Sequence, residues 1–163
     1  MTHKIFVGIG SNIDREKNIT SCIDILRGIY GEVITSPVYE TESMGFDGPN
    51  FYNLVSCFET DESIYDLKIN LNKIENDHGR HFNETKFSSR TLDIDILYYD
   101  DLVLSDDKVQ IPRKEICEYD FVLKPLMDLV PEFIHPVHNI SHKEIMDKIK
   151  IKNQIISIIN MDL

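Results

Sequence analysis

The chain is poor in cysteine, poor in basic residues relative to acidic ones, and without any long apolar run. Its cysteines are Cys22, Cys57 and Cys117, an odd number, widely spaced and with no C-x-x-C pair. Reduced, buried thiols in a cytoplasmic protein are therefore expected rather than a disulfide framework. Lysines and arginines number 17 against 28 aspartates and glutamates, a formal net charge of −11. That balance argues against nucleic acid as a partner, because a phosphate backbone demands a basic surface. It leaves room for a nucleotide held by a local cluster of cations. No stretch is long and apolar enough for a bilayer, so no membrane partner is expected. Met1-Thr-His-Lys-Ile-Phe-Val also lacks the basic and apolar regions of a signal peptide. Repeats and low-complexity tracts are absent. The 163 residues read as a single domain, 1–163, a monomer or weak dimer with enough chain for a core that needs no staples.

What is present is a pair of carboxylates in an unusual place. Arg90-Thr91-Leu92-Asp93-Ile94-Asp95-Ile96-Leu97 has the period of a strand, with Leu92, Ile94 and Ile96 on one face and Asp93 and Asp95 on the other. Aspartate is disfavoured in strands, and two like charges side by side repel unless a cation lies between them. Such a pair can be plain solvated surface. Its neighbours favour a metal instead. Arg80 and Arg90 flank a polar, aperiodic segment, residues 81–89, that carries Lys86. A loop of that kind suits a phosphate lid. Mg²⁺ takes one or two carboxylates and completes its shell with water and phosphate oxygens, and arginine grips phosphate with two prongs.

Lys4-Ile-Phe-Val-Gly-Ile reads as a short strand. Its end, Gly8-Ile9-Gly10-Ser11-Asn12, reads as a tight turn; without G-K-[ST] it is no Walker loop. Asp14 is placed to cap a helix running to about Tyr30, with Ile19, Cys22, Ile23 and Leu26 inward and Gly31 at its end. Residues 32–35 and 37–41 are extended, and 42–50 form a turn-rich loop. Residues 51–60 make a strand on which Phe51, Asn53 and Val55 share a face, where Asn53 can both donate to and accept from a polar heterocycle. A helix over 63–78 turns Leu67, Leu71 and Ile74 inward beside a polar stripe of Lys68, Asn72 and Glu75. A hairpin around Ser105-Asp106-Asp107 follows, then a partly helical stretch in which Pro125 must stand near a helix start or break it. Ser141-His-Lys-Glu144 is a capping box, and 155–159 is a last strand. His135-Pro-Val-His138 pairs two histidines, but no third zinc ligand is evident. The order β-α-β-β-α-β is that of a ferredoxin-like α+β fold: an antiparallel sheet with helices on one face and a C-terminal extension. The other face is left free, and the two aspartates point to it.

Gly8-Ile-Gly10-Ser11-Asn12, Phe51-x-Asn53, Glu75-x-x-x-Gly79-Arg80, Arg90-x-x-Asp93-Ile94-Asp95-Ile96-Leu97 and Phe121-x-Leu123-x-Pro125-Leu126 stand in the order and spacing of one family. Over essentially its whole length the chain resembles the 6-hydroxymethyl-7,8-dihydropterin pyrophosphokinases of folate biosynthesis. The resemblance implies Mg²⁺-dependent transfer of the β,γ-pyrophosphoryl group of ATP to the pterin's hydroxymethyl oxygen, with AMP as the second product. It implies that Asp93 and Asp95 hold two Mg²⁺ ions and that Arg80 and Arg90 clamp phosphates in catalysis. Asn72, Glu75, Ile96, Lys108 and Arg113 would join them around ATP, and Thr41, Met44, Gly45, Phe51, Asn53 and Phe121 would enclose the pterin. The chain departs from the family's usual pattern at Phe82, Phe87, Ser88, Arg113-Lys114 and Tyr119, positions that mostly face nucleotide. Two rivals follow: a relative that binds pterin and nucleotide without turnover, and a ferredoxin-like assembly domain with a merely solvated acidic strand.

Overall fold

Alternation along three central strands sorts the chain into two layers of side chains. The structure, a computed structural model, describes residues 1–43, 47–79 and 91–163. Strand β1 (His3–Ser11) sends Ile5, Val7 and Ile9 into one core and Phe6 into another. Helix α1 (Arg15–Tyr30) follows, then β2 (Ile34–Thr35), β3 (Val38–Thr41) and β4 (Phe51–Thr60). Pro37 has no N–H for the ladder. The gap it leaves beside β4 is closed by Ser36, whose N–H donates to the Val55 carbonyl while its Oγ accepts from the Val55 N–H, both at 2.9 Å. Helix α2 (Ile64–Asp77) starts at Ser63, whose side chain accepts from Asp66 N–H, and is followed by Gly79 at φ +88°. Then come β5 (Asp93–Tyr99), the hairpin β6 (Leu104–Ser105) and β7 (Gln110–Ile111), a 3-10 helix at Lys114–Cys117, α3 (Asp120–Leu129), α4 (His142–Lys148) and β8 (Ile155–Ile159).

The main sheet has the order β5-β1-β4-β3-β8, antiparallel throughout, with β2 also on β4. The fold is thus α+β, an antiparallel sheet with four α-helices among the described residues. None of those helices is long and apolar enough to cross a membrane. Ile19, Ile23 and Leu26 of α1 and Leu67, Leu71 and Ile74 of α2 bury against Ile5, Val7, Leu54 and Ile94. The expectation of helices on one face alone needs correction. On the second face Phe6, Val55, Cys57, Leu97 and Tyr98 are covered by Val122, Leu123 and Leu126 of α3 and Ile145 of α4. Those sheet residues are too apolar to face water, and the C-terminal segment supplies their cover.

Three local expectations also change. Gly8 and Gly10 lie inside β1, not in a turn, because their ladders to β4 and β5 run on to Ser11 and Gly10 respectively. Asp14 stands at the α1 N-cap position with φ 45° and makes no side-chain capping bond. Pro125 sits inside α3, costing it one backbone bond, and is itself buried with Val122, Leu123 and Leu126, whose packing offsets that loss. The Ser141–Glu144 capping box forms in both directions. Asp120 is buried and its carboxylate accepts from Gln154 N–H (2.8 Å) and Ile155 N–H (3.2 Å), fixing where β8 begins.

His135 closes the turn between α3 and α4. Its Nδ1 accepts the N–H groups of Val137 and His138, each at 3.2 Å, and only 4% of the residue is exposed. Burial, with His138 and His142 nearby, pushes its pKa down from 6.5 to about 4. The folded protein therefore holds His135 neutral while the unfolded chain protonates it below its ordinary pKa. Stability from this group is complete above about pH 6.5 and is lost as pH falls toward about 4, by up to roughly 3 kcal/mol. Urea unfolding across that window checks it with His135→Asn, which keeps a turn-closing acceptor but cannot titrate. The variant is expected to show a shallower loss, and identical slopes would remove His135 as the cause.

Candidate active site

Among the described residues, the second face of the sheet is covered only in part. In the half bearing Asp93 and Asp95 the middle strand has no side chains. Gly10 pairs with Asn53 on one side and Asp93 on the other; Gly8 pairs with Val55 and Asp95. Bare backbone separates the carboxylates from the amide, forming a shallow floor. A Cβ on Gly10 would lie 2.6 Å from Asn53 Oδ1 and 3.8 Å from Phe51 Cδ1, so the glycine's missing side chain is the space these groups occupy. Asn53 Nδ2 donates to Thr41 Oγ1 at 2.7 Å, and Thr41 is buried on β3. The amide is thereby held with its orientation fixed by the neighbouring strand.

On the other side of the floor Leu92, Ile94 and Ile96 bury into the α1–α2 core, which turns Asp93 and Asp95 outward as the strand period requires. Arg113 reaches the pair from the segment after β7. Its Nη2 lies 3.9 Å from Asp95 Oδ1, and its Nε lies 3.3 Å from Glu115 Oε2. Its backbone N–H donates to the Leu97 carbonyl at 3.2 Å, so the side chain starts from a fixed point on β5.

Residues at the end of β1 and just past it fasten the borders. Ser11 Oγ donates to the Thr91 carbonyl at 2.6 Å, tethering the approach to β5. Asn12 Nδ2 donates to the Pro49 carbonyl at 3.1 Å. Arg15 Nη1 lies 3.0 Å from both Glu40 Oε2 and the Asn50 carbonyl, and its guanidinium stacks 3.9 Å from the Tyr52 ring centre. The role of Gly8, Gly10 and Arg15 was not apparent from the sequence. The signal that finds the glycines is their own alternation, G-x-G in a strand set beside D-x-D.

Glu75 faces inward rather than into the open half. It is 6% exposed, and its Oε2 accepts the Ile94 N–H at 2.8 Å, so a helix carboxylate anchors the strand that carries the aspartates. Glu75→Ala leaves that buried N–H without this acceptor and is expected to cost about 2 kcal/mol of unfolding free energy. Urea denaturation measures it; a loss below about 0.5 kcal/mol would mean the bond contributes nothing net.

A family model described as 7,8-dihydro-6-hydroxymethylpterin-pyrophosphokinase (HPPK) matches residues 6–131. The chain belongs to the HPPK family. The Aquifex aeolicus 2-amino-4-hydroxy-6-hydroxymethyldihydropteridine pyrophosphokinase is 32% identical over 142 residues, covering 86% of this chain and 88% of that protein. The folic acid synthesis protein FOL1 of Dictyostelium discoideum is 35% identical over 139 residues, 84% of this chain. The chain spans about a fifth of that longer protein (21%) and of the Schizosaccharomyces pombe fol1 protein (20%). In fold it is similar to the Plasmodium falciparum HPPK-DHPS solved with pteroate: TM-score 0.72 at 16% identity, over 91% of this chain and 42% of that one.

Within this HPPK-family chain the structure brings Thr41, Phe51, Asn53, Asp93, Asp95 and Arg113 to one half of one face. The Ile96 side chain is buried on the opposite face, so only its backbone is available to a ligand. Lys108 is exposed on the β6–β7 hairpin, where its carbonyl accepts from Lys68 Nζ of α2. Asn72 is half-buried on α2, and Phe121 stands in the first turn of α3, stacked on Tyr119 with ring centres 5.3 Å apart. Met44, Gly45, Arg80 and Arg90 lie outside the described residues, as do Phe82, Phe87 and Ser88.

A third partner for the two histidines does exist. Cys117 Sγ and a ring nitrogen from each of His135 and His138 lie within 4.8 Å of one another. The cysteine is 18 residues upstream, too far for a spacing motif to show. The Nδ1 lone pair of His135 is already used by two backbone N–H groups. Its neutral ring then carries the proton on Nε2, which leaves no lone pair there for a metal. The arrangement is a turn closure, not a zinc site.

Proposed function

We propose that this chain transfers the β,γ-diphosphoryl group of ATP to the hydroxymethyl oxygen of 6-hydroxymethyl-7,8-dihydropterin, releasing AMP. The carrying observation is the outward-facing Asp93–Asp95 pair on a backbone floor shared with Asn53. Two oxygen-donor carboxylates with a guanidinium already drawn to one of them fit a hard divalent cation, and two Mg²⁺ ions are the expected complement. Bound there, Mg²⁺ would neutralise the triphosphate and spread the charge that develops at the attacked phosphorus. Asp93 and Asp95 would hold it, Arg113 would face the nucleotide, and Arg80 and Arg90 would clamp phosphates and exclude competing water. Asn53, oriented by Thr41, would bond the polar edge of the pterin, with Phe51 and Phe121 against its faces. Asn72, Lys108 and the Ile96 backbone would border ATP, with Glu75 serving the nucleotide side from behind through its hold on Ile94 N–H, and Met44 and Gly45 would border the pterin.

The β5-β1-β4-β3 order is read as ferredoxin-like, with the C-terminal segment laid over its second face and the whole chain as one domain. The unpaired thiols suit a reducing, cytoplasmic setting. The decisive test supplies ATP, Mg²⁺ and the hydroxymethyl-dihydropterin and follows AMP. Equal amounts of AMP and pterin diphosphate support the reading. Tight binding of both ligands without AMP would favour a non-catalytic binding module, and ADP would place attack on the γ-phosphorus.

A further inference from the structure

We infer that Arg113 is a tethered counter-ion for the metal-binding carboxylates, occupying the cation's electrostatic place beside Asp95 and setting how strongly the site takes a divalent ion. The inference rests on the proposed metal role of Asp93 and Asp95. Three observations carry it. The Arg113 guanidinium lies 3.9 Å from Asp95 Oδ1, inside ion-pair range but beyond hydrogen-bond range, so the contact is electrostatic and readily given up. Its hold on Glu115 is closer, 3.3 Å from Nε to Oε2, and Glu115 is less exposed (22% of its side chain, against 43% for Asp95). The backbone is fixed as well, through Arg113 N–H to the Leu97 carbonyl. The cation is thus anchored on one side and loosely engaged on the other.

Asp93 and Asp95 face the same way on one strand and repel each other when both are ionised. A guanidinium keeps its charge at any pH the protein meets. Placed here, it relieves the repulsion when no metal is present and competes with the metal when one arrives. Glu115 keeps the displaced guanidinium at the rim, so its charge stays within reach of an anionic ligand that enters with the metal. A histidine at this position, which titrates near neutrality, would be a weaker and pH-dependent competitor.

Mn²⁺ binding to the nucleotide-free, untagged protein, followed by electron paramagnetic resonance of the free ion, tests this without any turnover. Arg113→Ala is expected to lower the Mn²⁺ Kd by about three- to five-fold, the size of a half-exposed ion pair. Lys114→Ala removes the same charge from the exposed neighbouring residue and is expected to change Kd less than two-fold if the effect is local, as charges in water are screened. Equal Kd values for wild type and Arg113→Ala would overturn the inference, as would an equal gain from Lys114→Ala, which would reduce the effect to net charge. If wild type and both variants bind no Mn²⁺ even with ATP added, the metal role of the carboxylates fails and the inference falls with it. Mn²⁺ binding that Asp95→Ala abolishes, with no effect of Arg113→Ala, would leave the metal reading standing and remove only the counter-ion.

Discussion

Asp95→Ala is expected to lower AMP formation by about a thousand-fold or more while the protein remains folded. Metal stabilisation of a phosphoryl-transfer transition state is worth several kcal/mol, and each 1.36 kcal/mol is a factor of ten. The strand itself has little to lose. Ile94 and Ile96, which bury it, point to the opposite face, and the Ile94 N–H stays bonded to Glu75. Removing one of two neighbouring carboxylates also relieves repulsion, although it gives up the 3.9 Å contact with Arg113. The thermal midpoint should therefore stay level or rise. Wild-type turnover would reduce the acidic pair to solvated surface, and an unfolded variant would show that the aspartate holds the sheet together.

Gly10→Ala is expected to weaken pterin binding about ten-fold or more and to leave ATP binding nearly unchanged. One methyl group placed 2.6 Å from Asn53 Oδ1 cannot be accommodated without moving that amide. Asn53 is held by Thr41 Oγ1 on the next strand, so it moves only by breaking that bond and abandoning its orientation toward the open half. Loss of one well-placed hydrogen bond is about 1.4 kcal/mol, which is ten-fold in Kd. Gly8→Ala provides the comparison: its Cβ would meet only Leu97 side-chain carbons at 3.6 to 3.8 Å, an ordinary contact. Titrating the pterin into each variant separates them. Equal affinities for Gly10→Ala and wild type would take Asn53 out of recognition.

The aspartates, the Phe51–Asn53 strand and both capped helices could be read from the chain because each is a local pattern. A period of two or of 3.6, and a capping side chain three residues from its target, are visible without knowing what packs where. The glycines could not be read that way. Locally, Gly8 and Gly10 carry the marks of a turn; only the partners Asn53, Asp93 and Asp95, far away in sequence, show that they floor a site. The second helical layer was missed for a related reason. Leu97 falls on it by the same alternation as Asp93 and Asp95, but Tyr98 joins it only because the β1–β5 register skips between Phe6–Tyr98 and Val7–Ile96, a bulge with no sequence mark of its own. Pro125 departs from the rule that places proline near a helix start, because its burial offsets the lost backbone bond, and Glu75, read as one of a polar stripe, is an inward hydrogen-bond acceptor.

That bulge turns Leu97 and Tyr98 to the same face, so the alternation resumes one step later, with Tyr99 on the other. Tyr98 OH bonds His142 Nε2 at 2.8 Å in the α3–α4 layer, and Tyr99 OH donates to the Glu62 carbonyl at 2.6 Å just ahead of α2. A single peptide unit therefore works as a rivet through the sheet, pinning together the two layers that sandwich it. Sliding of one layer over the other would have to break both bonds at that end.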